Sequence, residues 1–206
     1  QYQFESKWDG IRSQIIKRAN NISIWTRGEE LVNKTFPELI KVISDFKNDF
    51  VVDGEILIWD ENKNIPKDFS LLQKRLGRKS PSIKIQKDLP VVFVAYDILE
   101  INGNDIRNKV LSERRNILEE KFLNSISEDE TITSKKIKIT KLLQINNWED
   151  VEESKNSARD INTEGLVIKN KNSKYLPGRK KGNWWKYKID PMQLDGVLIY
   201  AKPGSG

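Results

Sequence analysis

The sequence predicts an α+β domain in which antiparallel sheets are flanked by helices. Three observations lead there. Six stretches rich in β-branched and aromatic residues read as strands: ISIWTR, VVDGEILIW, LPVVFVAYDIL, EGLVIK, NWWKYKI and DGVLIYA. Four amphipathic or capped segments between them read as helices. The two kinds of element come in irregular order, and the strands are spaced as hairpins more often than as crossovers.

The first helix is expected from Thr35, with Glu38 three residues on completing a capping box and Phe36, Leu39, Ile40, Ile43 and Phe46 forming one apolar stripe. The second is DFSLLQKRLG, which Gly77 is placed to stop. The third follows Ser112 in LSERRNILEEKF, and the fourth runs from about Trp148 to Ile161. The last stretch, LDGVLIYAKPGSG, reads as one strand and then a Gly/Pro turn. A strand needs a sheet to join, so it either docks on the main domain or opens a second one. No repeat and no low-complexity linker interrupts the chain.

Composition narrows the chemistry. The chain has 206 residues, 37% hydrophobic and 32% charged, with 6 tryptophans, which suits a packed globular chain better than a disordered one. No apolar run is long enough to span a bilayer, and the start QYQFESK lacks the apolar core of a signal peptide. There are no cysteines, so disulfides, thiolate nucleophiles and cysteine zinc sites are excluded. There are no histidines either, which leaves proton transfer to Asp, Glu, Lys or Tyr and restricts a metal to oxygen ligands, favouring magnesium or manganese. Lys+Arg is 36 against 30 for Asp+Glu, a net charge of +6. That excess serves solubility or a polyanionic partner such as nucleic acid.

Several short motifs then need an explanation. In FESKWDGIR, Lys7 stands two residues before Asp9-Gly10. Surface turns use such residues, yet Phe4, Trp8 and Ile11 around it suggest burial, and a lysine desolvated beside other cations becomes a nucleophilic amine. In VVDGEILIW, alternation places Val51, Asp53, Glu55, Leu57 and Trp59 on one strand face and Val52, Gly54, Ile56 and Ile58 on the other. Both faces are apolar, so the acids are partly buried and need a donor or cation. Asp53 reads as a turn cap, while Glu55, in mid-strand, is the better ligand or metal contact. In EGLVIK, Glu164 is either an acid at a strand mouth or a magnesium ligand, and alternation puts Lys169 on the opposite face. In NWWKYK, Trp184, Lys186 and Lys188 share one face, with Trp185 and Tyr187 on the other. If those aromatics face a core, the paired lysines flank an anion such as phosphate; otherwise this is a solvated basic edge strand. YLPGRKKGN adds Arg179, Lys180 and Lys181, and LQKRLGRK adds four more cations, runs that suit either solvent or a nucleic-acid backbone.

Taken in order, KWDGIR, WTRGEEL, VVDGEI, VFVAYDIL, EGLVIK and WWKYK resemble the nucleotidyltransferase motifs of ATP-dependent DNA ligases, over Glu5 to Lys188. DFSLLQKRLGRK and LSERRNIL resemble DNA ligases too, particularly bacterial stand-alone ones. The resemblance implies the DNA ligase/mRNA capping enzyme fold, which is ATP-grasp-like, with an adenylation domain over 1–192 and the start of an oligonucleotide-binding fold over 193–206. It implies ATP as cofactor, Mg2+ or Mn2+ as metal, nicked double-stranded DNA as partner, a monomer, no membrane, and a bacterial cytoplasmic setting. By the same resemblance Lys7 would attack the α-phosphate of ATP and carry AMP. Glu5 would read the adenine amino group, Tyr96 would stack on adenine where the family often has Phe, and Arg12 and Glu55 would contact the ribose. Lys186 and Lys188 would bind the phosphates, and Arg27 would meet AMP's phosphate or the 5′-phosphate of the nick. Glu164, with Glu55, would hold the metal. The rival classes are an RNA ligase or GTP-using capping enzyme, and a nucleic-acid-binding module without catalysis.

Overall fold

The structure, a computed structural model, describes residues 1–78, 80–122, 136–178, 180–191 and 195–202. Two sheets face one another. The smaller has the order β1 (Tyr2–Trp8), β9 (Thr163–Asn170), β10 (Trp184–Lys188), all antiparallel. The larger follows the order β3 (Asn21–Thr26), β2 (Ile11–Arg18), β4 (Phe50–Asp60), β6 (Val91–Ile101), β7 (Asn104–Asp105). Two short strands complete it: β5 (Ile65–Pro66) pairs with β4, and β8 (Ile137–Ile139) runs parallel to β6. Antiparallel pairing dominates, as the α+β expectation requires.

β4 shows why both of its faces are apolar. Phe50, Val52, Ile56 and Ile58 enter the main core with Ile15, Ile24, Phe93 and Ala95. Helix α1 (Pro37–Ser44) covers that core with Leu39, Val42 and Ile43, and α2 (Phe69–Leu76) adds Leu72. On the other face, Leu57 and Trp59 join Val92 and Val94, with Trp8 packed against them, in a small second cluster. Asp53 and Glu55 lie on that second face, which looks into the space between the sheets. One strand therefore builds the core and one wall of a cleft.

The helices depart from expectation in instructive ways. Thr35 does not cap α1: the helix starts at Pro37 with Phe36 at its cap and no side-chain capping bond. Glu38 instead accepts two hydrogen bonds from Arg75 Nη2, at 2.6 and 2.8 Å. A proline at the first position removes one of the amide donors that a helix start leaves unpaired. Arg75, in a basic run expected to face solvent or a nucleic-acid backbone, is fully buried, clamps α2 to α1, and donates to the Leu89 and Thr35 carbonyls as well. α2 is capped by Asp68, which accepts from the Ser70 amide at 2.8 Å, and ends at Gly77 in ordinary helical backbone. The segment SIKIQKD, not read as a helix in the sequence, forms α3 (Ile83–Asp88) under Ser82 as cap. α4 (Leu111–Ile117) runs on into a wider turn at Leu118–Phe122. α5 (Trp148–Asn156) is followed by a tighter turn at Ser157–Arg159.

Five strands went unread: the short β5, β7 and β8, and the longer β1 and β2. FESKWDGIR looks like a charged turn, but only Asp9 and Gly10 lie outside regular strand; the rest supplies β1 and the start of β2. The polar face of β1 is buried, with Gln3 and Glu5 almost inaccessible, so the hydrophobic alternation that marks a strand is missing. Conversely, the expected strand DGVLIYA has no regular structure over 195–202, and Val197, Leu198, Ile199 and Tyr200 are 76–92% exposed. Trp185 and Tyr187 do not face a core either. Trp185 meets Tyr2 edge-on at 5.7 Å on the outer face, and Tyr187 packs against Trp148.

Candidate active site

The cleft between the sheets holds a cavity of about 490 Å³. Its walls include Glu5 and Lys7 of β1, Arg12 of β2, Arg27 after β3, Glu55 of β4, Tyr96 of β6, Lys169 of β9, and Trp184 and Lys186 of β10. Every residue singled out around the cleft in the sequence lines it except Glu164 and Lys188. Those two line an adjoining cavity with Asp9, Lys67 and Arg159.

Local backbone features put these side chains together. Gly10 turns the chain from β1 into β2 hard against β4: a Cβ there would lie 2.4 Å from the Ile56 carbonyl oxygen. No side chain fits, so Lys7 and Arg12 are held close on either side of the turn. A bulge in β9 does the second job. Ser6 pairs with Leu166 and Trp8 with Thr163, so two β9 residues, Glu164 and Gly165, oppose Lys7 alone. Gly165 adopts φ +116, and a Cβ on it would strike the Tyr187 carbonyl at 2.2 Å. The bulge resets the alternation of β9. Glu164 faces Lys7, and Val167 and Lys169 also face the cleft. Strict alternation assigned Lys169 to the far face, and the bulge is the reason it does not go there. A second bulge leaves Tyr96 without a partner between the pairs Asp53–Asp97 and Gly54–Ala95, and its ring reaches the cavity wall.

The Lys7 side chain is 14% exposed, and its Nζ donates to Glu164 Oε2. Lys188 Nζ approaches the same oxygen at 3.1 Å. Burial alone would raise the Glu164 carboxyl, but the hydrogen bonds from Lys7 and Lys188 outweigh it and hold the group below the usual carboxylate range. Asp9, in the turn after β1, sits beside this pair. Its burial and the Glu164 charge push its carboxyl up. Lys186 is pushed down by burial and by Lys7, Arg27 and Lys188 around it. That is the field of a site prepared for an anion.

Deeper in the cleft, Glu5 accepts from Gln3 Nε2 at 2.7 Å and from Lys169 Nζ at 2.7 Å. Lys169 is 1% exposed, and its ammonium lies 4.8 Å from the Tyr96 ring centre and 4.2 Å from that of Trp184. A buried lysine between two rings and a carboxylate is polar chemistry reserved at the end of an aromatic slot. Lys169 and Trp184 are two wall residues to which sequence reasoning gave no role. For Trp184 the signal was present, since it shares a strand face with Lys186. Glu55 is largely buried near Lys7 and Arg12; desolvation outweighs both cations and pushes its carboxyl up to about 8.

For a metal, the described residues contain no group of three or more acidic side chains converging on one point. They do bring Asp9 and Glu164 together beside Lys7 and Lys188, and magnesium is commonly held by one or two carboxylates with substrate phosphate and water. The donor set fits such an ion. Arg179 and Lys79, two of the expected basic residues, lie outside the described residues.

A lysine with an acid and further lysines at one end of an aromatic-walled slot is an arrangement suited to an anion beside a flat ring. The chain belongs to the ATP-dependent DNA ligase domain family, whose model matches residues 1–188. It is 30% identical to a probable DNA ligase of Koribacter versatilis over 98% of this chain and 37% of that protein. It is 31% identical to a DNA ligase of Methanococcus aeolicus over 99% of this chain and 35% of that protein. The chain thus spans about a third of the length of these curated relatives. In fold it is similar to the crystal structure of the ligase domain of M. tuberculosis LigD, with TM-score 0.68, 25% identity, and 91% of this chain and 55% of that one covered. It is also similar to a mycobacterial DNA ligase D complexed with ATP, with TM-score 0.66, 25% identity, and coverage of 89% and 53%. No helix among the described residues is long and apolar enough to cross a membrane.

Proposed function

We propose that this chain is the adenylation domain of an ATP-dependent DNA ligase. The observation that carries the reading is Lys7, nearly buried at the mouth of a nucleotide-sized cleft, with Glu164, Lys186 and Lys188 gathered beside it. The Lys7 amine, once it has given up its proton, attacks the α-phosphorus of ATP. An N–P bond forms, the bond to the bridging oxygen breaks, and pyrophosphate leaves. AMP then passes to the 5′-phosphate of a nick, and attack by the 3′-hydroxyl seals the strand and releases AMP.

Each residue has a part. Tyr96 and Trp184 flank the base. Glu5 accepts from the adenine amino group, and Lys169 donates to the neighbouring ring nitrogen. Guanine presents the opposite donor–acceptor order there, which favours ATP over GTP and argues against a capping enzyme. Arg12 and Glu55 hold the ribose. A carboxyl that still carries its proton near neutrality can donate to a ribose oxygen, so Glu55 serves the sugar more readily than a metal. Lys186 and Lys188 bind the phosphate oxygens as charge develops on them, and Arg27 meets AMP's phosphate or the 5′-phosphate of the nick. Glu164 and Asp9 would hold Mg2+ or Mn2+. When bound, that ion supplies charge compensation on the phosphate oxygens.

The adenylation domain covers 1–192, and 193–206 begins an oligonucleotide-binding fold. The exposed Val197–Tyr200 run is what supports that division, since such a run needs a sheet to cover it. We further propose that the ligase acts as a monomer on nicked double-stranded DNA inside the cell; its relatives include archaeal as well as bacterial proteins.

The test is direct. The chain is incubated with ATP and magnesium and weighed under denaturing conditions. One AMP should be added, and Lys7→Ala should lose it. Persistence of AMP on that variant would remove Lys7 from its assigned part. Nicked DNA against nicked RNA, tried with the full-length protein, separates DNA from RNA ligation.

A further inference from the structure

We infer that Tyr175 is a positioning residue for Arg12, holding its guanidinium at the ribose end of the cleft through a shared contact with Asp53. The inference rests on the reading of Arg12 as a ribose contact. It concerns a residue 163 positions away, in the loop after β9.

Arg12 is long and half exposed, with its guanidinium on the cleft wall. Left alone, such a side chain samples many rotamers and loses that freedom when a ligand binds. Here it is held in advance. Arg12 Nη2 donates to Asp53 Oδ2 at 2.9 Å and to the Tyr175 hydroxyl at 3.3 Å. The Tyr175 hydroxyl donates in turn to the same Asp53 oxygen at 2.6 Å. The three groups close a ring in which the tyrosine is acceptor for the arginine and donor to its partner. Gln14 Nε2 occupies the other Asp53 oxygen at 2.9 Å, so Asp53 cannot turn.

Tyr175 is itself fixed from behind. Its amide donates to the Arg107 carbonyl at 3.0 Å, and the Arg114 guanidinium lies 5.8 Å from its ring centre. Arg114 is fully buried, paired through both Nε and Nη2 with Asp97 at 2.8 and 2.9 Å, and donates to the Lys109 carbonyl. A rigid buried pair therefore supports the ring, and the ring's hydroxyl reaches the cleft. A tyrosine whose only task was packing would not need its hydroxyl between two charged partners.

The experiment compares binding of ATP, 2′-deoxyATP and 3′-deoxyATP to the 206-residue chain by calorimetry, without divalent cation so that no transfer intervenes. The parent, Tyr175→Phe and Arg12→Ala are measured side by side, with thermal melting of each. Tyr175→Phe keeps the ring on Arg114, should melt close to the parent, and should weaken ATP binding about five-fold, because the hydroxyl acts on the ligand only through Arg12 and a part of its hydrogen-bond energy reaches the bound state. Most tellingly, the affinity lost on removing a ribose hydroxyl should shrink to less than half of its parental size, because the arginine that senses that hydroxyl is no longer held. A full deoxy penalty in Tyr175→Phe, with a reduced one in Arg12→Ala, overturns the part given to Tyr175 and leaves the ribose reading standing. A full penalty in Arg12→Ala overturns both. Collapse of the Tyr175→Phe fold also overturns the inference, since the hydroxyl would then be a structural determinant.

Discussion

Glu55 shows how a single buried side chain sets a pH dependence. Desolvation raises its carboxyl to about 8, well above the value it has in the unfolded chain. The folded protein therefore binds more protons than the unfolded chain between about pH 4.5 and 8, and stability falls as pH rises through that window. Each pH unit there costs up to about 1.4 kcal/mol. Thermal melting of the chain from pH 5 to 8.5 should show this decline, and Glu55→Gln should flatten it and melt higher at pH 8.5. A second residue-scale expectation concerns Gly165. Any side chain there meets the Tyr187 carbonyl and must also adopt positive φ. Gly165→Ala should cost about 2–3 kcal/mol in urea denaturation. It should also slow AMP transfer at least ten-fold, because the bulge that aims Glu164 at Lys7 is lost.

Among the elements, α1 and α2 depend on one ion pair more than on their caps. Arg75 is fully buried and its charge is answered by Glu38. Glu38→Gln leaves that guanidinium without its counter-charge, and removing one partner of a buried pair costs about 3 kcal/mol or more. Asp68→Ala removes only the α2 cap and should cost about 1 kcal/mol. Equilibrium urea unfolding of the two variants should therefore separate by about 2 kcal/mol, with Glu38→Gln the weaker. Equal losses would mean that the cap, and not the clamp, holds α2. Little of this was legible in the sequence. Thr35 and Glu38 have the spacing of a capping box, and only the approach of Arg75 from a helix more than thirty residues away shows where the Glu38 carboxylate goes.

For the molecule as a whole, the segment at 195–202 stands apart. Val197, Leu198, Ile199 and Tyr200 bury almost nothing, so they contribute nothing to the stability of the two-sheet body. Ending the chain at Pro191 should leave the melting temperature within about 2 °C of the parent and reduce self-association, read by light scattering. A large drop in melting temperature would show that the segment docks on the body.

The sequence by itself determined β3, β4, β6, β9 and β10, the strands rich in β-branched and aromatic residues, the apolar stripe of α1, and the order of motifs that carries family membership. It also determined which residue types are left to do chemistry in a chain without histidine or cysteine. Tertiary structure alone decided three things. The bulge at Gly165 brought Lys169 into the cleft, which no period-two pattern can foresee, because an extra residue reverses the face of all that follow. The burial of Gln3 and Glu5 made a polar stretch into β1, since their hydrogen bonds come from β9 and from each other. The ring of Arg12, Asp53 and Tyr175 joined three distant segments, because a hydrogen bond depends on separation in space and leaves no periodic trace along the chain.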